Sequence, residues 1–257
     1  MQLGPVAKKL VGRWRCDLRC VMQSQLVSLP DLTNDDREAM YRLLAHHFKG
    51  VTPTTFAADL ANKNWVLLIH DGVNQLQGFS TLRLYDVTVN GQTLSVVYSG
   101  DTIVAPAAWS SATLPRAWIQ AINQLRRSNQ RLFWLLISSG FRTYRLLPTF
   151  WQTFYPRYDQ VTPEPMQELM DYLAQQQFGD AYDVGSGIVR FAHPQQLSTV
   201  LGTIPPERYS DPHIHFFEQV NPAHGQGDEL VCLTEICAEN LTAAGRRMWF
   251  GRSCTAA

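Results

Sequence analysis

The 257-residue chain reads as an α/β protein, with a mixed, mostly antiparallel sheet that holds one parallel strand pair and is flanked by helices. Three observations predict this. Residues 65–104 contain three strand-like runs joined by Asp71-Gly72 and Asn90-Gly91, dipeptides suited to antiparallel hairpin turns. The third run passes through a loop of small residues into an amphipathic helix, with Trp118, Ile119, Ile122 and Leu125 at helical spacing. Behind that helix comes the continuous apolar run Leu132-Phe133-Trp134-Leu135-Leu136-Ile137. Strand, helix and strand in this order close as a right-handed crossover, which makes the two strands parallel.

Composition narrows the function. The 22 basic and 22 acidic side chains balance, so no global field attracts nucleic acid or an anionic membrane, and any anionic ligand must be held locally. A hydrophobic fraction of 45% is enough to fill a sizeable core. The five cysteines, Cys16, Cys20, Cys232, Cys237 and Cys254, form no C-x-x-C pair, and their odd number argues against a disulfide framework and for a reducing cytoplasm. No run approaches the roughly 18 apolar residues of a membrane span. Lys8, Lys9, Arg13, Arg15 and Arg19 interrupt the first twenty residues, which leaves no apolar core for a signal peptide. Residues 1–25 are therefore expected as a basic N-terminal segment and residues 26–257 as a single domain.

Along the chain, Leu26 to Leu32 is an apolar lead-in, and Thr33-Asn34-Asp35-Asp36 supplies a helix cap with acid in the first turn. The helix spans Asp35 to Phe48, with Met40, Leu43, Leu44, His47 and Phe48 on its apolar side and Gly50 as its stop. Pro53-Thr54-Thr55 opens a second helix over Phe56 to Asn62. Trp65 to His70 is a buried strand, Gln77 to Tyr85 its alternating antiparallel partner, and Thr93 to Val104 the third strand of a meander. The crossover helix begins near Leu114. After the strand at 132–137, residues 143–156 read as one helix loaded with aromatics. Residues 157–212 are expected as an insertion, with a helix over Glu164 to Gln177, turns from Gly179 to Gly187, a short strand over Ile188 to Phe191 and a short helix over Pro194 to Leu201. His213 to Val220 and Asp228 to Ile236 are expected to form a hairpin that completes the sheet, before a final helix over Asn240 to Phe250.

The order of elements over residues 26–156, together with Tyr98-Ser99-Gly100-Asp101-Thr102-Ile103-Val104-Ala105-Pro106 and the segment Phe141-x-Thr-Tyr-Arg-x-Leu-Pro, resembles the GCN5-related N-acetyltransferase (GNAT) superfamily. The resemblance implies a sheet that splays between the strands on either side of the crossover helix to admit acyl-coenzyme A. It also implies a loop whose amides hold the pyrophosphate. The family's Arg/Gln-x-x-Gly-x-Gly/Ala pattern, aligned through Val104-x-Pro106, falls on Trp109-Ser110-Ser111-Ala112-Thr113-Leu114. Trp109 thus stands at the Arg/Gln position, Ala112 at the first Gly and Leu114 at the last small residue. Independently of any family, a small-residue loop entering a helix offers backbone N–H groups to an anion. The expected coenzyme contacts are Ile103 and Val104 beside the pantetheine, Val104 through its backbone. Trp109, Ser110, Ser111, Ala112 and Thr113 would sit at the phosphates, with charge from Arg116 or Arg126. Acetyl-CoA or acyl-CoA is the expected co-substrate, and no metal is expected.

Transfer of an acyl group from a thioester to an amine needs a base for the ammonium proton, donors to polarise the carbonyl and an acid for the thiolate. Asp101, on the strand that borders the acyl group and near Tyr98, Phe133 and Trp134, is the candidate base. The alternative is a strand-end aspartate bonded to backbone. By the resemblance, Tyr144 and Tyr155 are the candidate acids, although the family position nearest by spacing is Phe150. Each tyrosine also reads as an ordinary core or rim residue. His213 and His215 would share one strand face near His224, but without an H-E-x-x-H helix or a cysteine pair they do not make a zinc signature. No serine lies in a G-x-S-x-G elbow. Trp109, Trp118, Phe133, Trp134, Phe150, Trp151 and Phe154 read first as core, and they also suit an acyl group more apolar than acetyl.

The expected activity is therefore transfer of an acetyl or longer fatty acyl group from CoA to a primary amine, on a small molecule or on a lysine or ornithine side chain of a peptide. The alternative is a catalytically silent module of the same fold that binds a coenzyme or a partner protein. Neither nucleic acid nor an integral membrane association is expected.

Overall fold

The computed structural model describes residues 22–108, 112–127, 129–198 and 202–250. Of the expected N-terminal segment, residues 1–21 lie outside the described ones, and Gln23–Ser28 already form strand β1. Helix α1 (Asn34–His47) starts at a reciprocal cap, in which Thr33 Oγ1 accepts from the Asp36 amide at 3.1 Å and the Asp36 carboxylate accepts from the Thr33 amide at 3.2 Å. A two-residue strand β2 (Phe48–Lys49) follows it directly. Helix α2 (Pro53–Ala61) is capped in the same way by Thr52 and Thr55, with Pro53 at its first position. Strands β3 (Trp65–His70), β4 (Leu76–Val89) and β5 (Gln92–Val104) form the expected meander. Asn90 and Gly91 turn the second hairpin with φ of 50° and 76°, the left-handed pair that a tight hairpin requires.

Helix α3 (Thr113–Leu125) carries the chain over to β6 (Leu132–Ser138), which pairs parallel with β5. The order of the eight-stranded sheet is β1-β3-β4-β5-β6-β10-β8-β7. Its last strands are β10 (Glu229–Glu235), β8 (Ile188–Val189) and β7 (Tyr182–Asp183). The mixed α/β sheet with one parallel pair, flanked by helices, is thus the architecture of the chain.

Three local expectations are corrected. Residues 213–220 are not a strand but belong to a helix, α7 (Pro212–Val220), whose cap is Asp211 accepting from the His213 amide at 3.0 Å, with Pro212 at the first position. Ile214 and Phe217, three apart, face the core, so the apparent alternation was one helical stripe. The hairpin expected at 213–236 is therefore absent, and β10 pairs instead with β6 and β8. Residues 143–156 are not one helix: α4 (Phe141–Tyr144) and α5 (Leu146–Phe150) are short, and Trp151 and Tyr155 then bridge to Leu241 and Leu233. Trp151, Phe154 and Tyr155 are all buried, and a single helix could not turn all of them inward together with Tyr144, Leu147 and Phe150. In place of a helix over 194–201, Gln196–Leu197 form a strand (β9) paired with Phe48–Lys49, and residues 199–201 lie outside the described ones.

Side chains alternate across the sheet. Leu67, Leu82, Val97, Trp134, Leu136 and Cys232 face α3, α4, α5, α7 and the last helix α8 (Ala243–Trp249). On the opposite face, Val66, Leu68, Phe79 and Ile103 pack under α1 and α2, while Val96, Tyr98, Phe133, Leu135 and Val231 pack under α6 (Glu164–Phe178). The segment 157–212 thus contributes both α6 and the β7–β8 edge to the main sheet. Among the described residues no helix is long and apolar enough to cross a membrane.

Candidate active site

The site lies where β5 and β6 part. Their parallel ladder runs from Ser95 opposite Leu132 to Ser99 opposite Leu136, although β5 continues to Val104 and β6 to Ser138. The cause is local to β5. Its register with β4 passes from Leu82 opposite Ser99 to Ser80 opposite Thr102, so Thr81 alone faces the two residues Gly100 and Asp101. A bulge of this kind bends its strand and ends regular pairing.

On the α3 face, the opening is a narrow slot of about 40 Å³, walled by Ser80, Ser99, Thr102, Trp118, Trp134 and Trp151 among others. Trp134 donates its indole N–H to Ser99 Oγ at 2.8 Å, and the Ser80 and Thr102 hydroxyls share a hydrogen bond of 2.8 Å. The rings of Trp118 and Trp134 lie 4.3 Å apart, with Trp151 edge-on to Trp134 at 6.4 Å. Leu114 and Pro115 in the first turn of α3 and Thr143, Leu146 and Phe150 of the α4–α5 segment complete the wall.

On the other face the same bulge carries charge. Burial pushes the Asp101 carboxyl up to about 6, against the opposing pull of Lys63 and with a further push from Asp59. Burial and the negative charges of Asp101 and Asp59 push Glu229, at the start of β10, up to about 8. Lys63, just past α2, is itself buried and pushed down by desolvation. Its ammonium donates to the Asp59 carbonyl at 3.0 Å and lies 5.2 Å from the centroid of the Tyr98 ring. Gly100 makes room for it, since a Cβ there would fall 2.6 Å from Lys63 Cε and 2.9 Å from Thr81 Oγ1. Lys63 thus sits by the carboxyls of Asp101 and Asp59, with the Arg83 guanidinium also acting on it, and the same two carboxyls act on Glu229. A carboxylate titrating near 6 can take a proton from an ammonium and give it up again near neutral pH.

The first turn of α3 is the candidate anion seat. Its cap is Ala112, which provides no side-chain hydrogen bond to the helix. The amide of Arg116 donates to the Ala112 carbonyl at 3.1 Å, and the Arg116 side chain is exposed. Trp109, Ser110 and Ser111 lie outside the described residues, whereas Ala112 and Thr113 are described at the helix start. Ile103 is buried on the α1–α2 face and Val104 ends β5 opposite Gly78.

The two tyrosines lie apart from Asp101. Tyr144 is fully buried, its ring is packed against Phe154 and Phe217, and its hydroxyl donates to the Pro156 carbonyl at 3.1 Å. Burial pushes its acidity far out of the working range. The neighbouring Thr143 lines the slot, but Tyr144 does not. Tyr155 lines a separate groove of about 340 Å³ with Phe133, Met166 and Cys237. The histidines also separate: the His213 ring packs against Phe154 and Tyr158, and His224 Nδ1 lies 3.3 Å from the Ser139 carbonyl. Sequence reasoning missed Lys63 and Glu229, which no spacing links to Asp101. It also missed Ser80, Ser99 and Thr102, whose signal was a set of hydroxyls inside otherwise apolar strands.

No family model matches the chain, and no curated protein matches it either. Solved structures similar to it include a GNAT family N-acetyltransferase from Escherichia coli in complex with CoA, at 16% identity over 52% of this chain and 69% of that one, with a TM-score of 0.36. A Trypanosoma brucei acetyltransferase is 17% identical over 56% of this chain and 99% of its own, with a TM-score of 0.38. A probable N-acyltransferase of unknown function from Enterococcus faecalis V583 is 9% identical over 85% of this chain and 67% of its own, with a TM-score of 0.39.

Proposed function

We propose that the chain is an acyl-CoA-dependent N-acyltransferase acting on a primary amine. The observation that carries this reading is the opening beyond Ser99 and Leu136, which has an apolar slot on one face and the Asp101 carboxyl, pushed up to about 6, on the other. A thioester fits the slot and an amine fits the acidic face.

The residues present fit a coenzyme. The α3 start has no side-chain cap, so the Ala112 and Thr113 end of the helix, with Trp109, Ser110 and Ser111 before it, would hold the phosphates, and Arg116 would add charge. The backbone of Ile103 and Val104 would border the pantetheine. Bound there, the coenzyme supplies an acyl carbon activated by its thioester. Asp101 takes the ammonium proton, and the nearby Asp59 carboxylate favours a cationic acceptor beforehand. Tyr144 and Tyr155 line no part of the slot, so the proton that the leaving sulfur takes comes from neither of them.

A ligand that binds only the folded state raises its melting point, by about 2.7 kcal/mol of added stability at a concentration of 100 Kd. Melting of the full chain is expected to shift upward with both CoA and acetyl-CoA. No shift with either overturns the coenzyme assignment. A shift with no release of free thiol in the presence of any amine favours the silent binding module instead.

A further inference from the structure

One residue of the slot wall carries a polar group that the fold leaves unserved. Trp151 is 2% exposed and forms part of the slot wall, yet its Nε1 has no hydrogen-bond partner among the described residues. Buried donors are ordinarily paired, and the neighbouring groups here are: Trp134 with Ser99, and Ser80 with Thr102. The ring is held in place by other forces. The Trp151 amide donates to the Leu147 carbonyl at 2.8 Å, the backbone bridges to Leu241, and the indole packs edge-on to Trp134.

We infer that the Trp151 indole N–H is the donor for the acyl carbonyl oxygen of a short-chain acyl-CoA seated in the slot, so that it distinguishes acylated from free coenzyme. This rests on the N-acyltransferase reading. The chemistry of the orphan group selects the carbonyl. A thioester carbonyl accepts a hydrogen bond and brings no donor with it, whereas an amide of the pantetheine also brings an N–H in need of an acceptor. None of the other unpartnered buried atoms belongs to the slot wall, so a lone acceptor is the complement. Size selects the chain length. A cavity of about 40 Å³, where one water needs about 10–15 Å³, holds a group of about three heavy atoms, which is the size of an acetyl group.

Calorimetric titration of the full chain with CoA, acetyl-CoA and hexanoyl-CoA tests this. The protein is expected to bind acetyl-CoA about three- to tenfold more tightly than CoA, the worth of one neutral hydrogen bond, and hexanoyl-CoA no more tightly than acetyl-CoA. Trp151→Phe keeps an aromatic ring in the wall and removes the N–H, so it is expected to abolish the preference for acetyl-CoA over CoA. Because the smaller ring can loosen the wall, the unaltered protein supplies a second readout: its Trp151 indole proton resonance moves downfield with acetyl-CoA and not with CoA. Several results overturn the inference alone: equal affinity for CoA and acetyl-CoA, equal weakening of both by Trp151→Phe, tighter binding of hexanoyl-CoA, or an indole proton that ignores acetyl-CoA. Failure of all three ligands to bind overturns the acyltransferase reading itself.

Discussion

The Trp134 indole donates at 2.8 Å to the hydroxyl of Ser99, the β5 residue on the last rung at which β5 and β6 are still paired. Both residues are buried. The bond ties the strands together just before they separate, and it orients the ring on which Trp118 packs. Without the hydroxyl, the indole N–H is left unpaired in an apolar wall. Ser99→Ala is therefore expected to cost about 1–3 kcal/mol, read as a lower urea midpoint at an unchanged m-value. A surface-like change within about 0.5 kcal/mol would show that the hydroxyl does not hold the seam.

Asp101 must be ionised to accept a proton. With its carboxyl near 6, kcat/KM for the free enzyme is expected to rise with pH through about that value and then level off. Asp101→Asn should lower the rate about 10²–10⁴-fold and remove that rising limb without lowering the melting point. An unchanged pH profile in the variant would assign the base elsewhere.

The Glu229 carboxyl, at about 8 against an ordinary 4.5, acts on stability. Between those values the folded chain binds a proton that the unfolded chain has already released. Folding stability therefore falls as pH rises through this window. Glu229→Gln is expected to melt at the same temperature as the unaltered protein near pH 4 and higher than it near pH 8. Asp101 titrates in the same cluster, so the flattening should be largest when both carboxyls are neutralised. Parallel melting curves across the window would mean that Glu229 is solvated.

How far these features were legible depended on whether their cause was local. The Trp65–His70 strand, the Thr33 cap, the Asn90-Gly91 turn and the parallel β5–β6 pair follow from neighbouring residues, and the sequence carried them. The α7 helix was legible in Asp211-Pro212, a cap followed by a first-position proline, but the alternation of His213 to Val220 masked it. Strands of two residues such as Tyr182–Asp183 leave no periodicity to detect. Asp101 could be singled out from its place on β5. Lys63 and Glu229, by contrast, join it only after the bulge at Gly100 has bent the strand and β10 has come alongside β6.

The slot wall also depends on a contact behind it, between helix α8 and the end of α5. Gly245 lies so close that a Cβ there would fall 2.5 Å from the Phe150 carbonyl oxygen and 2.9 Å from Leu241 Cδ2. That oxygen cannot easily yield, because it also accepts from the Thr242 amide at 3.0 Å, while Thr242 Oγ1 caps the helix by accepting from the Gly245 amide at 3.1 Å. In an ordinary exposed helix, replacing Gly by Ala gains about 1 kcal/mol. Here the clash with fixed backbone is expected to reverse the sign, so that Gly245→Ala costs about 1–3 kcal/mol, as overpacking does. Phe150 and Trp151 line the slot directly in front of this contact, so the variant should also weaken acetyl-CoA binding in proportion as the wall moves. Urea unfolding decides the first part and calorimetric titration the second. A stabilised variant with intact binding would show that α8 can retreat from α5 without disturbing the slot.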